Sequence, residues 1–192
     1  MHPRDQFERL RDALPEDLRD PVSFLYFSGW HVSEMRALEW RDVDLEGGGI
    51  IRLRPDLSKT KDGRPLPLRR ELAEIIDRAR ERRIPECTTV FHRDGRPIAL
   101  FRRSWATACK KAGLGNILVH DLPRTAVRNL VRAGVPDKIA MALSGHKTRS
   151  GFDRDNIVAE DGLARAIENV SDHLAAQPQT PAIVLSLKKR SA

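Results

Sequence analysis

The sequence predicts an α+β fold that is mainly α-helical and carries one small antiparallel β-sheet. Apolar residues recur at helical spacing along most of the chain, as in Leu72, Ile75, Ile76 and Ala79, or Ala126, Val127, Leu130 and Val131. Two short strand-like runs, residues 50–54 and 64–68, flank a turn rich in Lys, Asp and Gly and predict a hairpin. The chain of 192 residues, 40% hydrophobic and 32% charged, has the size and composition of one globular core and argues against disorder.

Charge and cysteine usage narrow the classes of function. Thirty-four Lys and Arg against 27 Asp and Glu leave a net charge of +7, a modest excess that favours a polyanionic partner. Cys87 and Cys109 show neither metal-ligand spacing nor a disulfide framework, which fits a reducing cytoplasm. The longest apolar stretch, residues 182–187, is too short to cross a bilayer, and no secretory signal is visible, so a cytoplasmic location without a membrane partner is expected.

The elements follow in order. Residues 4–13 read as a short amphipathic helix, and residues 18–29 as a second one crowded with Val22, Phe24, Leu25, Tyr26 and Phe27. Tyr26, the only tyrosine, reads as a packed side chain. Residues 32–40 read as a helix with Val32, Met35 and Leu38 inward, preceded by His31 at its boundary. The hairpin comes next, with Lys59 in its turn region. Residues 69–83 form a helix whose arginines lie on a solvated face. Val90 and Phe91 make a short strand before an Asp94-Gly95 turn, and residues 98–112 a helix with Phe101, Trp105 and Ala108 as its core stripe. Arg102, Arg103, Lys110 and Lys111 flank that stripe as ordinary surface charge.

The most informative stretch is HDLPRTAVRNLVRAGVPDKIAMALSGHKTRSGFDRDN, which begins at His120. Pro123 suits the first turn of a helix, where a missing N–H costs nothing, and Gly134 ends that helix. Pro136 and Asp137 start another with Ile139, Ala140 and Leu143 inward, and Ser144-Gly145-His146 breaks it with a turn that projects an imidazole. His120 and His146 are thereby placed at the ends of two short helices packed side by side. Arg124, Arg128 and Arg132, at i, i+4 and i+8, form a basic row between them. Residues 161–176 read as a terminal helix with Leu163, Ile167, Val170 and Leu174 at heptad-like spacing. A Gln- and Pro-rich linker, an apolar segment and Lys188-Lys189-Arg190 end the chain.

His-Asp-Leu-x-Arg-Thr from position 120, Ala-Gly-Val-Pro from 133, Leu-Ser-Gly-His-Lys-Thr from 143 and Phe-Asp-Arg-x-Asn-Ile from 152 resemble the second half of the catalytic domain of tyrosine recombinases, the phage integrase family. Ser28-Gly29-Trp30-His31-Val32-Ser33-Glu34 with Leu38 to Leu45 resembles that family's first box. Ser58-Lys59-Thr60 with Pro65-Leu66-Pro67-Leu68 resembles its β-hairpin, and the resemblance covers about four fifths of the chain in order. It implies a catalytic-type domain over residues 1–176, without the helical domain that family members carry in front. Residues 177–192 would be a tail that docks on a neighbouring protomer.

Members of this family cleave a DNA strand with a tyrosine, helped by two arginines, a lysine and two histidine-type positions. The resemblance assigns the lysine position to Lys59 and the histidine positions to His120 and His146. It assigns the arginine positions to His31 and Pro123 and the nucleophile position to Asp155, so three of the six roles are held by the wrong chemistry. Imidazole cannot replace the planar, permanently charged fork of an arginine. Asp155 is shorter than tyrosine by a ring and, as an anion, repels a phosphate. Arg124 is turned by roughly 100° along the helix from the Pro123 position, which makes rescue improbable.

The expected partner is double-stranded DNA, held weakly through Lys59, Arg124, Arg128, Arg132, Lys147 and Arg149, with self-association or association with an active recombinase. No cofactor is implied. If His31, His120, His146 and Asp155 converge, three imidazoles and a carboxylate would be a set suited to zinc, although the positions are spaced for longer side chains. The favoured reading is an integrase-like DNA-binding domain that does not cut DNA and that regulates or interferes with an active relative. Two others stay open: an active recombinase using unfamiliar residues, and a protein-interaction module that does not touch DNA.

Overall fold

The computed structural model describes residues 4–58, 61–115, 117–155, 169, 171 and 172. The chain divides into two compact units, Met1–Ile157 and Val158–Ala192. In the second, the three described residues are helical. The predicted terminal helix over residues 161–176 and the tail over 177–192 otherwise lie outside the described residues.

Helix α2 (Glu16–Ser28) is the axis of the first unit. It buries Leu18, Val22, Phe24, Leu25 and Tyr26, residues on nearly every side, because α1 (Arg4–Ala13), α4 (Glu71–Glu81) and α6 (Asp121–Arg132) all pack against it. Phe7 of α1 stacks on Tyr26 with ring centroids 3.8 Å apart. Gly29 ends α2 in the left-handed conformation at φ 72°. An added Cβ there would lie 3.4 Å from the Ala126 Cβ, 3.8 Å from the Ser144 Cβ and 3.9 Å from the Pro123 carbonyl. The missing side chain therefore lets the end of α2 approach both helices of the His120 to Asp155 stretch.

The sheet has three antiparallel strands in the order β1 (Val43–Asp44), β2 (Ile50–Leu53) and β3 (Arg64–Pro67), so the predicted hairpin gains a short first strand. Ile51 and Leu53 of β2 and Arg64 and Leu66 of β3 point to the buried face. Pro65 and Pro67 fit β3 because it is an edge strand, where a missing donor breaks no ladder.

Several expectations are corrected. Helix α3 ends early (Val32–Ala37), because Trp40 donates to the Thr88 carbonyl at 2.9 Å and Val90 to that of Leu38 at 2.9 Å. This pairing pulls Leu38 and Glu39 into extended backbone against the helical periodicity, and Trp40 starts a short 3-10 turn. The strand predicted at Val90 and Phe91 falls two residues later, in β4 (His92–Arg93) paired with β5 (Arg96–Pro97) around Asp94 and Gly95, both at positive φ as a tight hairpin turn requires. On α4, Arg78 donates to Asp20 of α2 at 3.0 and 2.8 Å, and Arg82, just past its end, pairs with the same carboxylate, so part of the expected solvated face is a tie between helices.

Helix α5 (Arg102–Lys111) starts four residues later than expected, and the Trp105 indole N–H reaches the Ile117 carbonyl at 2.7 Å. Helix α7 (Asp137–Ser144) turns Ala140 and Ser144 inward, which leaves Ile139, one position away on the helical wheel, 53% exposed. Helix α8 (Arg149–Asp155) was not foreseen. Two cores result: a large one built from α1 to α5, the sheet and Leu122, and a small one of Val127, Ala140 and Phe152 that holds α6, α7 and α8 together.

Candidate functional site

Arg64 and Glu34 form the base of the site. Alternation along β3 puts Arg64 on the buried face, and the first turn of α3 puts Glu34 opposite it. The guanidinium donates to both carboxylate oxygens at 3.1 and 2.6 Å, with the side chains 7% and 1% exposed. A charge buried this deeply needs such a two-pronged partner. Arg64 Nε also donates to the Leu143 carbonyl at the end of α7 at 3.1 Å, and the guanidinium lies over the Trp30 ring at 5.1 Å. The second Glu34 oxygen accepts the His31 backbone N–H at 2.8 Å. One ion pair thus joins the start of α3, the hairpin and the end of α7.

His146 follows the glycine that packs against this pair. Gly145 takes φ 80° and returns its N–H to the Met141 carbonyl at 2.8 Å, while an added Cβ would fall 2.6 Å from an Arg64 Nη. Conformation and close approach both require glycine there. The His146 ring meets Phe152 of α8 edge-on at 5.7 Å, and its Nδ1 lies 2.8 Å from the Ser144 hydroxyl. Lys147 bonds Asp62 at 2.8 Å, which brings the hairpin loop to the same turn. Lys59, three residues earlier in that loop, lies outside the described residues.

The other predicted site residues can be placed against this frame. His31, half-buried, precedes α3 and is held through its backbone by Glu34. Pro123 is buried in the first turn of α6, where its carbonyl faces Gly29. His120 is exposed at the N-terminus of α6 and lines a cleft of about 910 Å³ with Val32, Trp105, Cys109 and Lys110. Asp155 ends α8 three residues after Phe152; its side chain is outside the described residues. Among the described residues no group of three or more His, Cys, Asp or Glu is placed to hold a metal ion.

The basic row differs from the expectation in its pairing. Arg124 lies 3.6 Å from Asp121, and Arg128 donates to the Thr125 hydroxyl at 3.2 Å. Arg149 bridges Asp137 at 2.6 Å and Asp153 at 2.8 Å, and the hydrogen bond to Asp153 followed by the charge of Asp137 pushes its guanidinium further above the ordinary value. Arg132 is exposed. By contrast, Arg102, Arg103, Lys110 and Lys111 are exposed on α5, a helix with no acidic residue, and none of them makes an ion pair among the described residues. These four were set aside as surface charge. The signal that could have found them is local: RRSWATACKK holds four cations and no anion.

Arg64 and Glu34 were missed as a pair, although alternation of Arg64, Leu66 and Leu68 in the strand already put the arginine on the inner face. Against known proteins, the phage integrase family model matches residues 3–152. The chain belongs to the phage integrase family. The integrase of Salmonella phage P22 is 25% identical over 149 residues, which are 72% of this chain and 38% of that protein. The structure of XerA recombinase superposes with a TM-score of 0.72 at 20% identity, over 88% of this chain and 64% of that one. A lambda integrase dimer bound to a COC' core site gives a TM-score of 0.65 at 22% identity, over 79% and 46%. The fold is that of tyrosine recombinase catalytic domains, and the chain spans about two fifths of the length of the P22 integrase it matches.

Proposed function

We propose that this chain is an integrase-type domain that binds duplex DNA without cutting or rejoining it, and that acts on recombination by occupying sites or joining the assembly of an active relative. The observation that carries this reading is the use of Arg64, the buried arginine that packs against the Gly145 turn. Arg64 spends its fork on Glu34 and the Leu143 carbonyl and is not available to a phosphate, while on the family resemblance His31 and Pro123 hold the arginine positions. Phosphoryl transfer is catalysed mainly by positioning and by cations aimed at the equatorial oxygens, and each lost donor costs on the order of a hundredfold or more in rate. Tyr26 offers no substitute nucleophile: it is 7% exposed and stacked on Phe7.

Duplex binding rests on two basic surfaces. One is the expected set, Lys59, Arg124, Arg128, Arg132, Lys147 and Arg149. The second is α5, whose four cations form no ion pair among the described residues. The exposed pairs of Lys147 and Arg149 are no obstacle, because surface ion pairs are worth at most about 1 kcal/mol and exchange readily. Residues 1–176 would act as the domain and residues 177–192 as the tail that meets a second protomer. The solved relatives include a DNA-bound lambda integrase dimer and a tetramer on a Holliday junction, which supports both partners.

A suicide duplex that traps covalent adducts should give none with this chain, and any adduct at a defined residue would overturn the inactive reading. Binding of a labelled duplex should weaken with salt, the logarithmic slope falling by roughly 0.9 for each phosphate contact removed. Arg102→Glu with Arg103→Glu, and separately Arg128→Glu with Arg132→Glu, should each reduce that slope. Salt-independent or absent binding would leave a protein-interaction module as the better reading.

A further inference from the structure

We propose that the cleft along α5 is a binding site for a small amphipathic anion, a molecule with an apolar chain or ring system and one carboxylate-like head. The cleft measures about 910 Å³, within the range of sites that hold small molecules, and its lining is mostly apolar. Leu100, 65% exposed, and Leu118, 62% exposed, are the two most exposed large apolar side chains among the described residues, and both line it. One exposed leucine is ordinary on a protein surface. Two that line the same hollow with Phe101, Trp105 and Val119 make an apolar surface that gains free energy when covered. The wall is also held in place. The Trp105 indole N–H donates to the Ile117 carbonyl at 2.7 Å, the Leu114 N–H to the Cys109 carbonyl at 2.9 Å and the Leu118 N–H to Asp121 at 2.9 Å. These bonds tie the segment after α5 to that helix and to the start of α6, so the cleft is formed before a ligand arrives.

The rim decides the sign of the head. Arg102 and Lys110 line the cleft, Arg103 and Lys111 follow them in sequence, and no described lining residue is acidic. A negative head is attracted by this rim and a positive one repelled. The same charge disfavours the other occupants of an apolar groove. The chain's own apolar segment, residues 182–187, runs into Lys188-Lys189-Arg190 and so carries the wrong sign. A symmetric contact with a second copy would set four cations against four. Arg102 and Lys110 also belong to the proposed duplex surface, so on that reading, and only on it, the anion competes with DNA.

Titration of the whole chain with decanoate and with decylammonium, followed by calorimetry below their micelle-forming concentrations, compares two heads on one apolar chain. Decanoate should fill a single saturable site and bind roughly tenfold or more tightly than decylammonium, since two cations each contribute a factor of a few in each direction. Arg102→Glu with Lys110→Glu should invert that preference. Leu100→Asn and Leu118→Asn, both at exposed positions and so expected to fold as the wild type does, should each weaken decanoate by roughly fivefold or more. No saturable binding, equal affinity for the two heads, or affinity untouched by the leucine variants would overturn the proposal. So would a dimer that Leu118→Asn dissolves, which would put a second copy in the cleft. Decanoate should also weaken the binding of a labelled duplex. Duplex binding without decanoate binding would refute this site alone, and decanoate binding without duplex affinity would refute the DNA-binding reading alone.

Discussion

Replacing Arg64 by methionine should be among the most damaging single changes in the chain. The substitution keeps an unbranched side chain of similar length but leaves the Glu34 carboxylate, 1% exposed, without its counter-ion. Removing one partner of a buried pair costs about 3–5 kcal/mol, because the remaining charge stays desolvated. The Leu143 carbonyl also loses its donor, a further contribution of about 1 kcal/mol. At about 2–4 °C per kcal/mol for a domain of this size, the melting temperature should fall by roughly 8–24 °C. Equilibrium urea unfolding measures the loss directly. Arg64→Met with Glu34→Gln should recover more than half of it, since the glutamine is neutral and its carbonyl oxygen can still accept the His31 N–H. A single variant that costs less than about 1 kcal/mol, or a double variant no better than the single one, would refute a buried ion pair as the tie between α3, the hairpin and α7.

Three further outcomes follow from the same frame. Gly145→Ala combines left-handed backbone with a Cβ 2.6 Å from Arg64, whereas Gly113→Ala, at φ 68° with nothing within 4 Å, carries the backbone strain alone. Unfolding should show the first costing more than the second, whose loss is about 1–3 kcal/mol. Phe152→Ala empties the small core and should cost about 3–5 kcal/mol locally, seen by hydrogen exchange as early opening of α8 while α2 stays protected; equal loss in both helices would count against two cores. Burial pushes the Cys109 thiol up, so at neutral pH a smaller share is thiolate and alkylation of the folded chain should be slower than that of an unfolded control at every pH below the raised value. Equal rates would contradict that burial.

Helices with a full apolar face were legible in the sequence, and Arg4–Ala13 matches its expected span. So were the hairpin strands and the Gly134 and Gly145 stops, because positive φ and missing side chains are written in residue type. What escaped was set by partners distant in sequence. Residues 38–40 leave the helix for Thr88 and Val90, and α8 depends on a core contributed by α6 and α7. In the site, the turn that carries His146 could be read locally. Its support by Arg64 joins residues 79 positions apart, and the lack of ion pairs from the α5 cations among the described residues depends on which carboxylates the fold brings near.

Two of the positions that, on the proposed reading, no longer serve strand cleavage, 31 and 123, are ones to which the fold is nearly indifferent. Pro123 occupies the first turn of α6, where no intrahelical donor is needed, and it is tolerated beside Gly29 for that reason. His31 precedes α3 and is tied through its backbone N–H, a group that every residue except proline supplies. Glu34, Arg64 and Gly145 are different: each is buried or strained, and each has a side chain or lack of one that no other residue type reproduces. Stability therefore constrains the frame around His146 far more tightly than it constrains the groups that would act on a phosphate. A domain of this build can lose strand cleavage and still present its folded basic surfaces, which is what a non-cutting role on DNA requires.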